Sequence, residues 1–183
     1  MNHLEFILKP EFFNRKSELH GISHTYRVMA LTWDLGSRIN MARERNLAFM
    51  AAFIHDMARN HDGICWKHGK RAVKYKLPLF REFFIEQGAS ENDLDEISFS
   101  VHYHCTPREP EKSHPFYPTL ALLKDADALD RIRMGSRNLN PHMLRYDESR
   151  KMIREAENLY FESLHLKDLN FTSLISIIAN HGH

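Results

Sequence analysis

The sequence has little of the features that define several other classes of protein. Cysteine occurs only twice in 183 residues, which is too few for a disulfide framework in a chain of this length. The longest apolar run, residues 47–54, is far shorter than the roughly 18 residues that indicate a membrane span. Lys and Arg total 25 against 24 Asp and Glu, so no net field would draw the chain onto nucleic acid. A disulfide scaffold is therefore excluded, and we expect neither a membrane nor a nucleic-acid partner.

The amino-terminal residues also lack the order of a secretory signal. Glu5 and Lys9 interrupt the apolar residues of this segment, whereas a signal places a positive region before an uninterrupted apolar one. Apolar residues make up 43% of the chain and charged residues 27%, as in ordinary globular domains. We therefore expect a cytoplasmic protein with free thiols, folded as a single domain over residues 1–183.

Glycine and proline are scarce, with seven of each. Apolar residues recur at helical spacing, with no convincing run of strict alternation, and this pattern predicts an all-α fold. The predicted helices span residues 10–18, 24–39, 43–58, 67–86, 91–105, 118–134, 148–164 and 171–180. The proline-containing segments 106–118 and 138–141 are predicted loops.

Histidine is abundant, with 13 residues, and neutral imidazole is the commonest metal ligand in proteins. His24 begins an apolar stripe on a helix for which Ser23 is the expected N-cap. His55 continues the apolar face of the next helix, with Asp56 beside it, and Asp127 shares the apolar face of a later helix. A buried carboxylate needs a partner or a metal. Two imidazoles and two carboxylates supply donors that suit Zn, Mn, Fe, Co or Ni.

The final carboxylate has two candidates in the segment LLKDADALDR. Asp127 lies on the face of Leu123, whereas Asp125 points about 160° away at roughly 100° per residue. Asp127 is therefore the predicted ligand. Asp130, three residues further on, could either orient a ligand or form a surface salt bridge.

Three segments in order, GISHTYRV, AAFIHDMAR and LLKDADALDR, resemble the HD-domain superfamily, in which H, HD and D lie on successive helices. The resemblance spans residues 20–135 and implies an HD-domain-like helical bundle with metal-dependent phosphohydrolase activity. It assigns His24 to the first histidine, the pair His55 and Asp56 to the doublet, and Asp127 to the final aspartate. Residues 140–183 lie outside it, and their helices either complete the bundle or form a homodimer interface.

Some members of this superfamily use further histidines between the doublet and the final aspartate to bind a second metal. His68 and His104 are the candidates here, since both can lie on inward faces of their helices. Two interpretations stay open. The site is either dinuclear with these histidines as ligands, or mononuclear with the same histidines binding substrate. The resemblance implies one or two ions of Mn, Zn, Fe, Co or Ni, with Mg as a further option.

A bound metal lowers the pKa of its water to about 7, which suits hydrolysis of a phosphate ester. The resemblance favours a nucleotide as the substrate. Asp56 could both ligate the metal and accept a proton from that water. Arg59 is the first candidate to bind phosphate, followed by Lys124, Lys70 and Arg71. Two alternatives stay open: a metal-binding regulatory module without turnover, and a di-iron oxygenase of the HD type.

Overall fold

The regular secondary structure is entirely helical over residues 1–181, which the computed structural model describes apart from the side chain of Ser136. Nine α-helices occur in this range: Ile22–Arg38 (α1), Ala42–Ile54 (α2), His68–Tyr75 (α3), Leu77–Glu86 (α4), Glu91–Tyr103 (α5), Tyr117–Leu129 (α6), Asp147–Lys151 (α7), Ile153–Ser163 (α8) and Phe171–His181 (α9). Short 3₁₀-helices precede α1 and follow α6, one of them at Asp130–Met134. The predicted all-α class is confirmed.

Four helices, α1, α2, α5 and α6, form the centre of the bundle. α1 packs on α2 and α6, and α2 also packs on α5 and α6. Every residue from Leu47 to Ile54 of α2 is buried, as expected for a helix that is enclosed on all sides. α3 packs on α5, and α9 packs on α1 and α8. Within residues 1–181, no helix combines the length and the hydrophobicity that crossing a bilayer requires.

The predicted helix at 10–18 is wrong. Only a 3₁₀ turn forms there, at Pro10–Phe12, and the backbone around it bonds to distant groups. The amide of Asn14 donates to the carbonyl of Met57 over 2.9 Å, and Lys76 Nζ donates to the last carbonyl of the turn over 2.6 Å. These tertiary partners satisfy the backbone in place of helical hydrogen bonds.

Three other predicted helices are interrupted. The helix predicted at 67–86 is two helices, because Pro78 in the first turn of α4 has no amide to donate and its ring clashes with the preceding turn. The helix predicted at 118–134 is α-helical only to Leu129 and continues as a 3₁₀-helix. The helix predicted at 148–164 divides at Met152 into α7 and α8.

The start of α1 determines the position of His24. The N-cap is Gly21 and not the predicted Ser23, since the helix already begins at Ile22. A Cβ atom at Gly21 would lie 2.1 Å from the carbonyl oxygen of Ser17. Only glycine therefore allows the backbone of Ser17 to pack this closely against the start of α1. His24 consequently lies in the first turn of α1, where it is fully buried.

Candidate metal centre

Four predicted ligands come together where the ends of three helices meet. His24 lies in the first turn of α1, His55 is the C-cap of α2 with Asp56 after it, and Asp127 lies in the last turn of α6. His24 Nε2 is 3.2 Å from His55 Nε2, 3.4 Å from Asp127 Oδ1 and 3.5 Å from Asp56 Oδ2. Side chains from three separate helices therefore present one nitrogen and oxygen donor set.

The two further histidines lie beside this set. His68 opens α3 and His104 is the C-cap of α5, and their Nε2 atoms are 2.8 Å apart. Asp56 Oδ1 is 2.9 Å from His68 Nε2 and 3.8 Å from His104 Nε2. Asp56 thus presents Oδ2 to one pair of histidines and Oδ1 to the other.

The Nδ1 atoms fix the orientation of the four rings. In three of the rings, Nδ1 donates to a backbone carbonyl: His55 to Ala52 over 2.6 Å, His68 to Cys65 over 2.7 Å and His104 to Val101 over 2.7 Å. A carbonyl can only accept, so in the neutral rings the proton is on Nδ1 and a lone pair is on Nε2. Facing lone pairs repel, and a divalent metal accepts both. The donor set therefore fits a metal.

The ionisation of these groups follows from burial and from the carboxylates. Burial lowers the pKa of His55 to about 3. Burial and the nearby Arg133 also lower the pKa of His24, but the three carboxylates that contact it outweigh them and raise it to about 9. Burial opposes ionisation of Asp56 and Asp127, yet the surrounding imidazoles hold the pKa of both below the usual range. Both carboxylates are therefore ionised and able to act as ligands.

Asp130 orients His24 and does not form a surface salt bridge. Its side chain is 1% exposed, and its Oδ2 accepts from His24 Nδ1 over 2.7 Å. Arg27, one turn beyond His24, holds the same carboxylate with Nε over 2.6 Å and Nη2 over 3.1 Å. A carboxylate behind a ligating imidazole fixes its tautomer and raises its basicity. The sequence contained one signal for this arrangement. Arg27 follows His24 by three residues and Asp130 follows Asp127 by three, and residues at this spacing are neighbours on a helix surface.

Asp125 faces away from the histidines, as the helical spacing indicates. It is fully buried and accepts hydrogen bonds from the backbone amides of Arg145 and Tyr146 and from Ser149 Oγ, at 2.7–3.0 Å. Its role is to attach the segment before α7 to α6. Of the two aspartates in DAD, Asp127 is the one that contacts the histidines.

A cavity of about 480 Å³ opens over the site. Asp56, His68, His104 and Asp127 form its floor, and its wall includes five cationic side chains: Arg59, Lys124, Arg131, Arg133 and Arg145. The largest exposed apolar side chains at its edge are Ile64, Trp66 and Met143. Lys70 and Arg71, which were candidate phosphate ligands, lie on α3 outside this lining.

Arg59 and Lys124 both line the cavity, and each has its own carboxylate or carbonyl partner. Arg59 Nη1 is 3.6 Å from Asp56 Oδ1, and its Nη2 donates to the carbonyl of Gly63 over 3.0 Å. Lys124 Nζ is 2.8 Å from Glu109 Oε2, and the same glutamate binds Arg145 through both oxygens, at 2.7 and 3.0 Å. Sequence reasoning missed Glu109 and Arg145, because one stands in a proline-containing loop and the other beyond the matched segments.

A helical bundle with imidazole and carboxylate donors at converging helix ends defines a class of metal-binding helical proteins. A family model for the HD domain matches residues 21–132, and the chain belongs to that family. The crystal structure of a predicted HD superfamily hydrolase from an uncultured Thermotogales bacterium is similar, with a TM-score of 0.55 and 25% sequence identity over 84% of this chain and 83% of that one. A comparison with curated proteins gave no match. The predicted HD-type bundle is thus confirmed, and among the described residues it contains groups of His, Asp and Cys that could hold a metal ion.

Proposed function

We propose that this protein hydrolyses the phosphate ester of a small molecule, with a nucleotide as the substrate class, at a centre of two divalent metals. His24, His55, Asp56 and Asp127 would hold the first ion, and Asp56, His68 and His104 the second. The observation that carries the proposal is the Asp56 carboxylate, which is 3% exposed and presents one oxygen to each pair of histidines. This arrangement favours the dinuclear interpretation over the mononuclear one.

The metal, when bound, supplies activation of water and polarisation of a phosphoryl oxygen. Asp56 would serve both positions as a ligand, and it is the carboxylate nearest to both for accepting the proton of the attacking water. Because its pKa is well below the usual range, its role as a ligand is favoured over its role as a base.

The cations on the cavity wall support an anionic substrate. Arg59 is nearest to the proposed ligands and lies against Asp56 and His68, so it can bind a phosphoryl oxygen next to the metals. Lys124 and Arg145 also line the cavity, and Glu109 neutralises part of their charge. We assign Arg59 to the reacting phosphate and Lys124 to an outer phosphate oxygen.

A nucleotide is supported by the edge of the cavity. The Trp66 side chain is 61% exposed at a position that lines the opening. Exposed indole at the opening of a polar cavity offers a stacking surface for a planar ring, and a nucleobase has a π-face of this kind. A phosphate ester without an aromatic group would leave this surface unused.

The test is hydrolysis of nucleoside mono-, di- and triphosphates and of glycerol phosphate, with metal content measured on every preparation. We expect wild type to hydrolyse one nucleotide class with Mn, Zn, Fe, Co or Ni bound, and His55→Ala and Asp127→Ala to lose both metal and activity. His142→Ala is the matched control, because His142 is exposed and outside the cavity lining.

Other outcomes separate the alternatives. Full metal occupancy without turnover of any phosphate ester would indicate a regulatory module. Bound iron with oxygen consumption would indicate an oxygenase. Retention of full metal by both ligand variants would show that the ligand assignment is wrong.

A further inference from the structure

Cys105 lies next to the second pair of histidines. A nitrogen of His68, a nitrogen of His104 and the sulfur of Cys105 all lie within 4.8 Å of one another. Both histidines are more than nine-tenths buried, and their Nε2 lone pairs converge, since each Nδ1 donates to a carbonyl. The sulfur contacts the carbonyl oxygen of Trp66 at 3.6 Å, which is a weak interaction for a thiol.

The pair His104 and Cys105 repeats the local geometry of His55 and Asp56. Each histidine is the C-cap of its helix, α5 or α2, and each Nδ1 donates to the carbonyl three residues before it, over 2.7 and 2.6 Å. In both cases the next residue is a metal-ligating type that lines the same cavity. The chain therefore carries a His-Asp doublet at one helix end and a His-Cys doublet at another.

Gly69 allows His68 to lie beside His104 and Cys105. A Cβ atom there would lie 2.3 Å from the carbonyl oxygen of Val101 and 3.1 Å from Cys105 Sγ. Only glycine allows α3 to lie this close to the end of α5. His68, the residue before it, is thereby set beside His104 and the Cys105 sulfur.

We propose that the Cys105 thiolate is a ligand of the second metal position, together with His68 and His104. The inference rests on the metal centre of the proposed function and specifies what that centre selects. A sulfur and two imidazoles favour Zn(II), Fe(II) or Co(II) over Mg(II), which takes oxygen ligands. Binding releases the thiol proton to solvent, because the thiolate is the ligand form.

The test is titration of the chelated protein with Co(II), followed by absorption spectroscopy. A thiolate ligand gives a sulfur-to-cobalt charge-transfer band in the near ultraviolet, while the visible bands of Co(II) report binding at either position. We expect wild type and Cys65→Ser to show the charge-transfer band. Cys65 is the matched control because it also lines the cavity. Cys65→Ser keeps the backbone carbonyl that accepts from His68 Nδ1.

Two variants of Cys105 complete the experiment. Cys105→Ser should lose the charge-transfer band, and its affinity for the second ion should fall at least as much as on loss of an orienting partner, about 10–100-fold. Cys105→Asp should restore binding of two ions without the band and with better acceptance of Mg(II), because it converts the His-Cys doublet into a second His-Asp doublet.

The outcomes distinguish this inference from the proposed function. Visible Co(II) bands without a charge-transfer band in wild type, or a band that persists in Cys105→Ser, would overturn the role of Cys105 and leave the metal centre in place. Absence of any Co(II) binding would overturn both.

Discussion

His24 Nδ1 and Asp130 Oδ2 are 2.7 Å apart, and this hydrogen bond joins the first turn of α1 to the segment that follows α6. Arg27 binds both oxygens of the same carboxylate, so Asp130 cannot rotate away from the imidazole. The proposed metal ligand is thus fixed from behind by an ion pair that is almost completely buried.

Asp130→Asn should weaken metal binding, because an amide oriented by Arg27 stabilises the ligating tautomer of His24 less than a carboxylate does. We expect a loss of about 10–100-fold in affinity, as for other partners of ligating histidines, measured by competition with a chelator.

The control is Asp125→Asn. Asp125 is equally buried but contacts Arg145, Tyr146 and Ser149 instead of the histidines. Asp125→Asn should lower the free energy of unfolding and leave metal affinity unchanged. Equal metal affinity in Asp130→Asn and wild type would contradict the role given to Asp130.

Gly69→Ala should separate α3 from the end of α5, because its Cβ would lie 2.3 Å from the carbonyl oxygen of Val101. Overpacking of this kind costs about 1–3 kcal/mol of unfolding free energy. We also expect bound metal to fall from two ions to one, measured by metal analysis. Lys74→Ala, at an exposed position of the same helix, should change neither quantity.

Lys124→Ala should raise KM for a phosphate ester, since the side chain lines the cavity and is a charge-assisted donor. Such a hydrogen bond contributes about 1.5–3 kcal/mol to substrate binding, and each 1.4 kcal/mol corresponds to about a tenfold rise in KM. Steady-state kinetics on Lys70→Ala provides the comparison. Lys70 is outside the cavity lining, so its KM should stay at the wild-type value.

Glu109 should contribute to acid sensitivity. Burial opposes its charge, but Arg145 and Lys124 lower its pKa from 4.5 to about 2. A lowered pKa in the folded state gives stability that is present above pH 4.5 and lost as pH falls toward 2. In the chelated protein, urea denaturation should show a steeper loss over this range for wild type than for Glu109→Gln. Parallel curves would show that Glu109 contributes nothing.

Chelation should lower the melting temperature, because the converging imidazole nitrogens then face one another without a metal. Added Zn(II) or Mn(II) should restore it, with about 2.7 kcal/mol of stabilisation at a concentration of 100 Kd. His55→Ala should respond less to either treatment in a thermal denaturation assay. A wild-type melting temperature that is insensitive to chelator would contradict a metal centre in the folded protein.

The helices that carry the proposed ligands could be predicted well from the sequence. A periodic apolar stripe indicates both that a helix forms and which of its faces points inward. His24, His55 and Asp127 could be placed in this way. Helix ends were harder to predict. The break before α4 follows from Pro78, a local signal that the predicted helix at 67–86 passed over. The irregular segment at 10–18 depends instead on bonds to Met57 and Lys76. Those partners are distant in sequence, and no local pattern contains them.

The rest of the site depended on contacts across long sequence separations. Glu109 meets Arg145 across 36 residues, and both are polar residues in non-helical segments, where periodicity gives no orientation. The shared position of Asp56 between two histidine pairs likewise follows from how α2, α3 and α5 pack. A sequence can place individual histidines on their helices, but it does not give the distances between residues that meet across the bundle.

The proposed ligands at His24, His55, His104 and Asp127 all lie at or within one turn of a helix end. The connecting segments that follow them, 57–67 and 106–116, contribute Arg59, Trp66 and Glu109 to the cavity wall. Loops of this kind can change length and composition without moving the rigid elements they join. The part of substrate choice that depends on these two connecting segments can therefore change while the proposed metal ligands stay in place.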